Sequence, residues 1–181
     1  VRYFRLIGAT VALLVGCRRG VPEEQMTPDD WDVMSMSLSP CLEASAVPRT
    51  QEGKTWALRD PAGIIQWPVD LVELRGSSGT QRVWIGMDSS KVEYTVASMP
   101  PGGMASAIPM VMENRCMLPV GGHRALTHRL RSDSTVTKRA LYLADATVVV
   151  RDNVAIHVWI EAPSAGRRDL LLRAVSELTL R

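Results

Sequence analysis

The sequence predicts an α+β fold: a single domain in which an antiparallel β-sheet is covered by a C-terminal amphipathic helix. Two stretches, Arg82 to Ala97 and Ala146 to Glu161, alternate apolar and polar residues on either side of turn-forming residues, the pattern of half-buried hairpins. After Pro163-Ser164-Ala165-Gly166 the period becomes helical. Leu170, Leu171, Ala174, Val175 and Leu178 fall on one stripe of a helix from Arg167 to about Leu178, with Arg167, Arg168, Arg173 and Glu177 on its polar side.

The chain opens with a basic n-region (Arg2, Arg5) and an apolar run from Leu6 to Val15, then Leu14-Val15-Gly16-Cys17. The run is about ten residues, half of the roughly 20 needed to span a bilayer, so it suits a secretory signal better than a retained anchor. Leu14 to Cys17 resembles the lipobox of bacterial lipoproteins. The resemblance implies removal of residues 1–16, a diacylglyceryl group on the Cys17 thiol and attachment to the membrane through that lipid. It places the protein in the cell envelope. Arg18 stands where an inner-membrane retention signal would carry Asp, which implies the outer membrane in a diderm. Residue 1 is Val, for which an alternative start codon or a clipped n-region accounts.

Residues 17–30 are polar, contain two prolines and lack an apolar period, so they read as a flexible tether. The folded domain is expected over 31–181. Val33 to Leu38 alternates as a strand, with Met34, Met36 and Leu38 on one side. Thr55 to Arg59 and Ile64 to Glu73 are further strands around an Asp60-Pro61-Ala62-Gly63 turn, and Pro68 should break the second or confine it to an edge. In the Arg82 to Ala97 hairpin, Val83, Ile85 and Met87 are expected to share the core with Val92, Tyr94 and Val96. The Pro/Gly stretch from Ser98 to Ser106 reads as a long loop. Ile108 to Leu118 is ambiguous between helix and strand, and Gly121-Gly122 precedes a strand from His123 to Leu130. In the last hairpin Val154, Ile156, Val158 and Ile160 face one way, and His157, Trp159 and Glu161 the other.

Removing residues 1–16 takes Arg2 and Arg5 from 21 Lys and Arg set against 19 Asp and Glu, which leaves the charges balanced. No basic stripe remains, and nucleic acid is not an expected partner. Of three cysteines, Cys17 is assigned to lipid. Cys41 and Cys116 are left as the single possible disulfide in an oxidising compartment, two buried thiols being the alternative.

No chemical motif stands out. His123 and His128 are five apart and point to opposite faces of a strand, which argues against a shared zinc, and His157 can join either only through tertiary pairing. The serine elbow of hydrolases and the phosphate loop of nucleotide-binding proteins are absent, and no cofactor is expected. Met110 and Met112 have the spacing that puts both sulfurs on one face, for Cu(I) or, more simply, for a pliable apolar contact. Trp84 and Trp159 lie opposite the expected core faces of their strands, as a second packing layer or an aromatic groove. Trp84, Trp159, His157, Met110 and Met112 are therefore the candidate binding residues, and no catalytic or metal residue is nominated.

The late hairpin and terminal amphipathic helix behind a lipobox resemble the Mog1/PsbP-type α/β fold over roughly residues 136–181. That resemblance implies a binding or assembly role and transfers no catalytic residue. The expected function is a lipid-anchored envelope protein that binds a protein partner or an apolar ligand. An envelope hydrolase assembled only in the fold and methionine-based copper handling are the alternatives.

Overall fold

Gly121 and Gly122 make a two-residue turn of the sheet, with φ of 55° and 85°. Consecutive positive φ values suit a two-residue hairpin whose twist matches its strands. They join β6 (Met110–Val120) to β7 (His123–Ser132), with Val120 opposite His123. The computed structural model describes residues 38–42, 53–58, 63–68, 70–74, 80–98, 109–132, 139–151 and 154–180. Within them the chain forms β1 (Gly53–Leu58), β2 (Gly63–Pro68), β3 (Leu71–Glu73), β4 (Gln81–Gly86), β5 (Lys91–Ser98), β6 and β7. These are followed by β8 (Tyr142–Arg151), β9 (Val154–Ala162), helix α1 (Ala165–Ser176) and β10 (Thr179–Leu180).

Seven strands make one antiparallel sheet in the order β3-β4-β5-β9-β8-β7-β6, and the terminal helix lies on one face of it. The expected single α+β domain is observed. A second, three-stranded sheet, β1-β2-β10, was not anticipated: the helix stops at Ser176, and Thr179 and Leu180 pair with Ile64 and Gly63 of β2. Pro68 ends β2, and the chain restarts as β3 in the larger sheet, which is the break its missing N–H demands. The ambiguous Ile108 to Leu118 segment is the strand β6 from Met110 onward. Residues 31–37, which include all of the Val33 to Leu38 alternation but Leu38, lie outside the described residues, as do 99–108 and the hairpin residues Asp152 and Asn153.

The core occupies the helix-side face. Val92, Ala146, Ile156, Val158 and Ile160 are buried there with Leu171, Ala174 and Val175 of the helix and Leu178 beyond it. The predicted outward set of β9 and this inward set are both observed. On β4 the prediction was inverted. The register places Val83 opposite Glu93 and Ile85 opposite Lys91, so the odd residues of β4 face away with charged partners, and Met87 is 94% exposed. Trp84 pairs with Val92 and is fully buried, its ring 5.4 Å from that of Trp67 on β2. A turn centred on Asp88 fixes this parity, and hydropathy alone, with apolar residues at 83, 84 and 85, does not.

The helix face needs a second correction. Arg168 is buried, whereas the expected core residue Leu170 is half-buried and Leu172 takes its place. Arg168 Nη1 lies 2.6 Å from Glu113 Oε2 and its Nε 3.0 Å from Asp169 Oδ1, with the guanidinium 5.8 Å from the Tyr142 ring centroid. Glu113 occupies the irregularity between Met112 and Asn114 in the β6–β7 register, the extra residue a β-bulge supplies. Asp169 also accepts two hydrogen bonds from Arg129 Nη2, at 2.8 and 2.7 Å. At the helix start Ser164 caps the Arg167 N–H, and the Arg167 side chain pairs with Asp70 and, at 3.1 Å, with Asp88. Burial opposes ionisation of Asp88, but the Ser90 hydroxyl and N–H and the Arg167 charge together hold its carboxyl below the usual range.

Residues 38–42 are fastened to β6. Cys41 N–H donates to Met117 O at 2.8 Å, Met117 N–H donates to Ser39 O at 2.9 Å, and Cys41 and Cys116 form the expected disulfide across a Cα separation of 4.9 Å.

Candidate functional site

The sheet face away from the helix carries three cross-strand rows set by register. The central row runs Arg115, His128, Asp145, Trp159, Glu93 and Val83, from β6 through β7, β8, β9 and β5 to β4. On one side of it lie Met112, Leu130, Leu143, Glu161, Lys91, Ile85 and Val72, and on the other Met117, Leu126, Thr147, His157, Thr95 and Gln81. Among the described residues, no helix or strand lies over this face.

Its polar centre is Asp145. His157 Nε2 stands 2.5 Å from Asp145 Oδ1 and His128 Nδ1 3.7 Å from Oδ2, with side-chain exposures of 8% for His157, 13% for His128 and 22% for Asp145. Burial pushes the Asp145 carboxyl up. Polar contacts with His128 and His157, and then the charges of the two imidazoles, outweigh that and hold it at about 2. The carboxylate is therefore ionised at any physiological pH. Each imidazole takes a different oxygen, and among the described residues no group of three His, Cys, Asp or Glu is arranged to hold a metal ion.

Beside this polar centre is a small apolar cluster of Leu130, Leu143 and Trp159, with Met110 and Leu141 packed against it. Trp159 Nε1 donates to Glu161 Oε1 at 2.9 Å. Met112, opposite Leu130, is 53% exposed at the rim. At the far edge Val72 and Ile85 pair across β3 and β4 and are 63% and 39% exposed, with Leu74 46% exposed beside them.

Four of the five candidate binding residues thus share one face: Trp159, His157, Met110 and Met112. Trp84 does not, because its ring belongs to the helix-side core. Trp159 is itself nearly covered, so the two tryptophans do not form an exposed groove. Cys17 lies outside the described residues. Sequence reading missed Asp145 and the convergence of His128 with His157. The available signal was a single carboxylate within the apolar run Leu143-Ala144-Asp145-Ala146, since a charge at such a position is retained only with partners. No helix of the described residues is long and apolar enough to cross a membrane.

No family model and no curated protein matches the chain. Among solved structures it is similar to the Ran-binding protein Mog1p of Saccharomyces cerevisiae, at 10% identity over 71% of this chain and 95% of that one, with a TM-score of 0.49. It is also similar to PA94 of Pseudomonas aeruginosa, a protein of unknown function, at 12% identity over 64% of this chain and 85% of that one, with a TM-score of 0.33. Mog1p is of the fold type that the terminal hairpin and helix resemble, but likeness at these scores carries no argument about partner or activity.

Proposed function

We propose that this protein is an exported, lipid-anchored accessory module that binds a protein partner through the sheet face away from its helix. The observation that carries the reading is the exposed apolar rim of that face, Met112 on β6 and Val72 and Ile85 on β3 and β4, around the apolar cluster of Leu130, Leu143 and Trp159. Alternation of apolar residues with Arg115, Asp145, Glu93 and Lys91 along the rows suits a polypeptide surface, which presents both chemistries, better than a wholly apolar ligand. The disulfide supports export, because such bonds persist in oxidising compartments. The lipobox-like Leu14 to Cys17 supports the anchor.

Two variants test the two halves of this proposal. Cys17→Ser should release the protein from membranes and leave an unlipidated precursor; unchanged membrane extraction and mass would reject the anchor. Met112→Glu should leave the thermal transition in place and abolish partner recovery by cross-linking; undiminished recovery would reject the face.

The convergence of two imidazoles on one carboxylate favours a second reading, an envelope hydrolase. Turnover of a chromogenic ester that disappears in His128→Gln would support it. The residues opposite His157 in register are threonines, Thr95 and Thr147, and an ionised Asp145 serves to orient an imidazole, not to supply a proton.

A further inference from the structure

We propose that the partner is held by strand addition: an extended segment of it pairs with the open outer edge of β6 at Met110 to Met112, lengthening the large sheet by one strand. The inference rests on the proposed binding face and specifies how a protein partner is gripped there. β6 ends the sheet, so one of its edges has no neighbouring strand. Backbone groups in an antiparallel pair turn alternately towards the partner strand and away from it. Ser132 N–H donates to Leu141 O on the β8 side, so the adjacent Arg131 is the residue that bonds β6, through Val111 opposite it. The N–H and C=O of Met110 and Met112 therefore point off the sheet, and among the described residues nothing pairs with them.

Farther along, the same edge is already closed. Met117 donates to Ser39 O and accepts from Cys41 N–H, a parallel bridge that shows this edge taking an added extended segment. Pro119, of the same parity, has no N–H to offer. The flanks of the open stretch describe its occupant. Val111 is 50% and Met112 53% exposed, and they point to opposite faces. Met112 stands opposite Leu130 on the face away from the helix, whereas Val111 shares the helix side with Arg131 and Tyr142. Arg131 is exposed and makes no ion pair among the described residues. The occupant is thus a partner segment of about five residues in which apolar side chains beside Met110 and Met112 alternate with acidic ones directed at Arg131. A second copy fits less well, because the carboxylate it would bring to this stretch, Glu113, is already held by Arg168 at 2.6 Å.

Site-specific photo-cross-linking in intact cells separates strand addition from docking on one face. Photoreactive residues at Val111 and at Met112 should give adducts of the same mass, because a strand beside β6 meets both side chains; a partner laid on the face alone reaches Met112 and not Val111. With the photoreactive residue at Val111, Met112→Pro removes one outward N–H and leaves the bonds to β7 in place. It should lower the adduct yield about tenfold below that of Met112→Leu. In the purified protein without a partner, the Met112 amide should exchange at least about tenfold faster than that of Met117, which Ser39 O holds. An adduct from Met112 without one from Val111 would overturn strand addition and leave the binding face standing, whereas adducts from neither would reject both. An adduct of twice the mass of the chain would also overturn the proposal, as would equal yields from the two Met112 variants or a Met112 amide as slow as that of Met117.

Discussion

Arg168 Nη1 and Glu113 Oε2 meet at 2.6 Å, joining the buried face of the helix to a bulge at the edge of the sheet. Removing one member of such a pair strands the other partly buried, a loss typically of about 3 to 5 kcal/mol. Glu113 is 34% exposed on its side chain, so the lower end of that range applies. Arg168→Ala should therefore lower the urea midpoint far more than Arg173→Ala from the same helix. Similar losses for the two would mean that Arg168 does not hold the helix in place.

Asp145 sets the acid limb of stability. Its folded value of about 2 lies below the ordinary carboxylate value of 3.8, so its contribution is complete above about pH 4 and lost as pH falls towards 2. That contribution is on the order of 2 kcal/mol, from the size of the shift. Wild type should lose stability over this interval, and Asp145→Asn, already weaker at pH 7, should show a shallower slope there. Denaturant titrations at half-unit steps check it, and parallel slopes would contradict it.

At Gly121 a β-carbon would meet Leu180 Cγ at 2.8 Å and Leu178 O at 3.0 Å, whereas at Gly122 it meets nothing within 4 Å. Both glycines have positive φ, so alanine at either costs about 1 to 2 kcal/mol in backbone strain. Gly121→Ala should cost more than Gly122→Ala because it also displaces the chain after the helix. Calorimetry that ranks them the other way would refute the close approach.

The disulfide between Cys41 and Cys116 closes a separation of 75 residues, worth about 4 to 5 kcal/mol in the chain-entropy picture. Reduction should lower the melting temperature and detach residues 38–42 from β6 first. Early loss of amide protection at Met117, whose N–H is held by Ser39 O, is the signature to look for.

Much of this architecture is written in local pattern. The alternation of Val154 to Glu161 and the leucine stripe of the helix name their faces because one side is consistently apolar. Where both sides are apolar the pattern is silent: Val83, Trp84 and Ile85 are resolved only by pairing with Glu93, Val92 and Lys91 across the turn. Arg168 read as solvent-facing because Glu113, its partner, is 55 residues away on a bulge that no local signal marks. The same holds for Asp145, whose two histidines arrive from neighbouring strands. The disulfide was legible because only one pairing remained once Cys17 was assigned.

Site-specific photo-cross-linking tests the central claim most directly. A photoreactive residue at Met112 or Val72, both exposed on the face away from the helix, is compared with one at Gly166 or Glu177, exposed on the helix side. In intact cells the account predicts one discrete adduct from Met112 and Val72 and none from Gly166 or Glu177. Adducts from the helix positions alone, or none from either face, would contradict it.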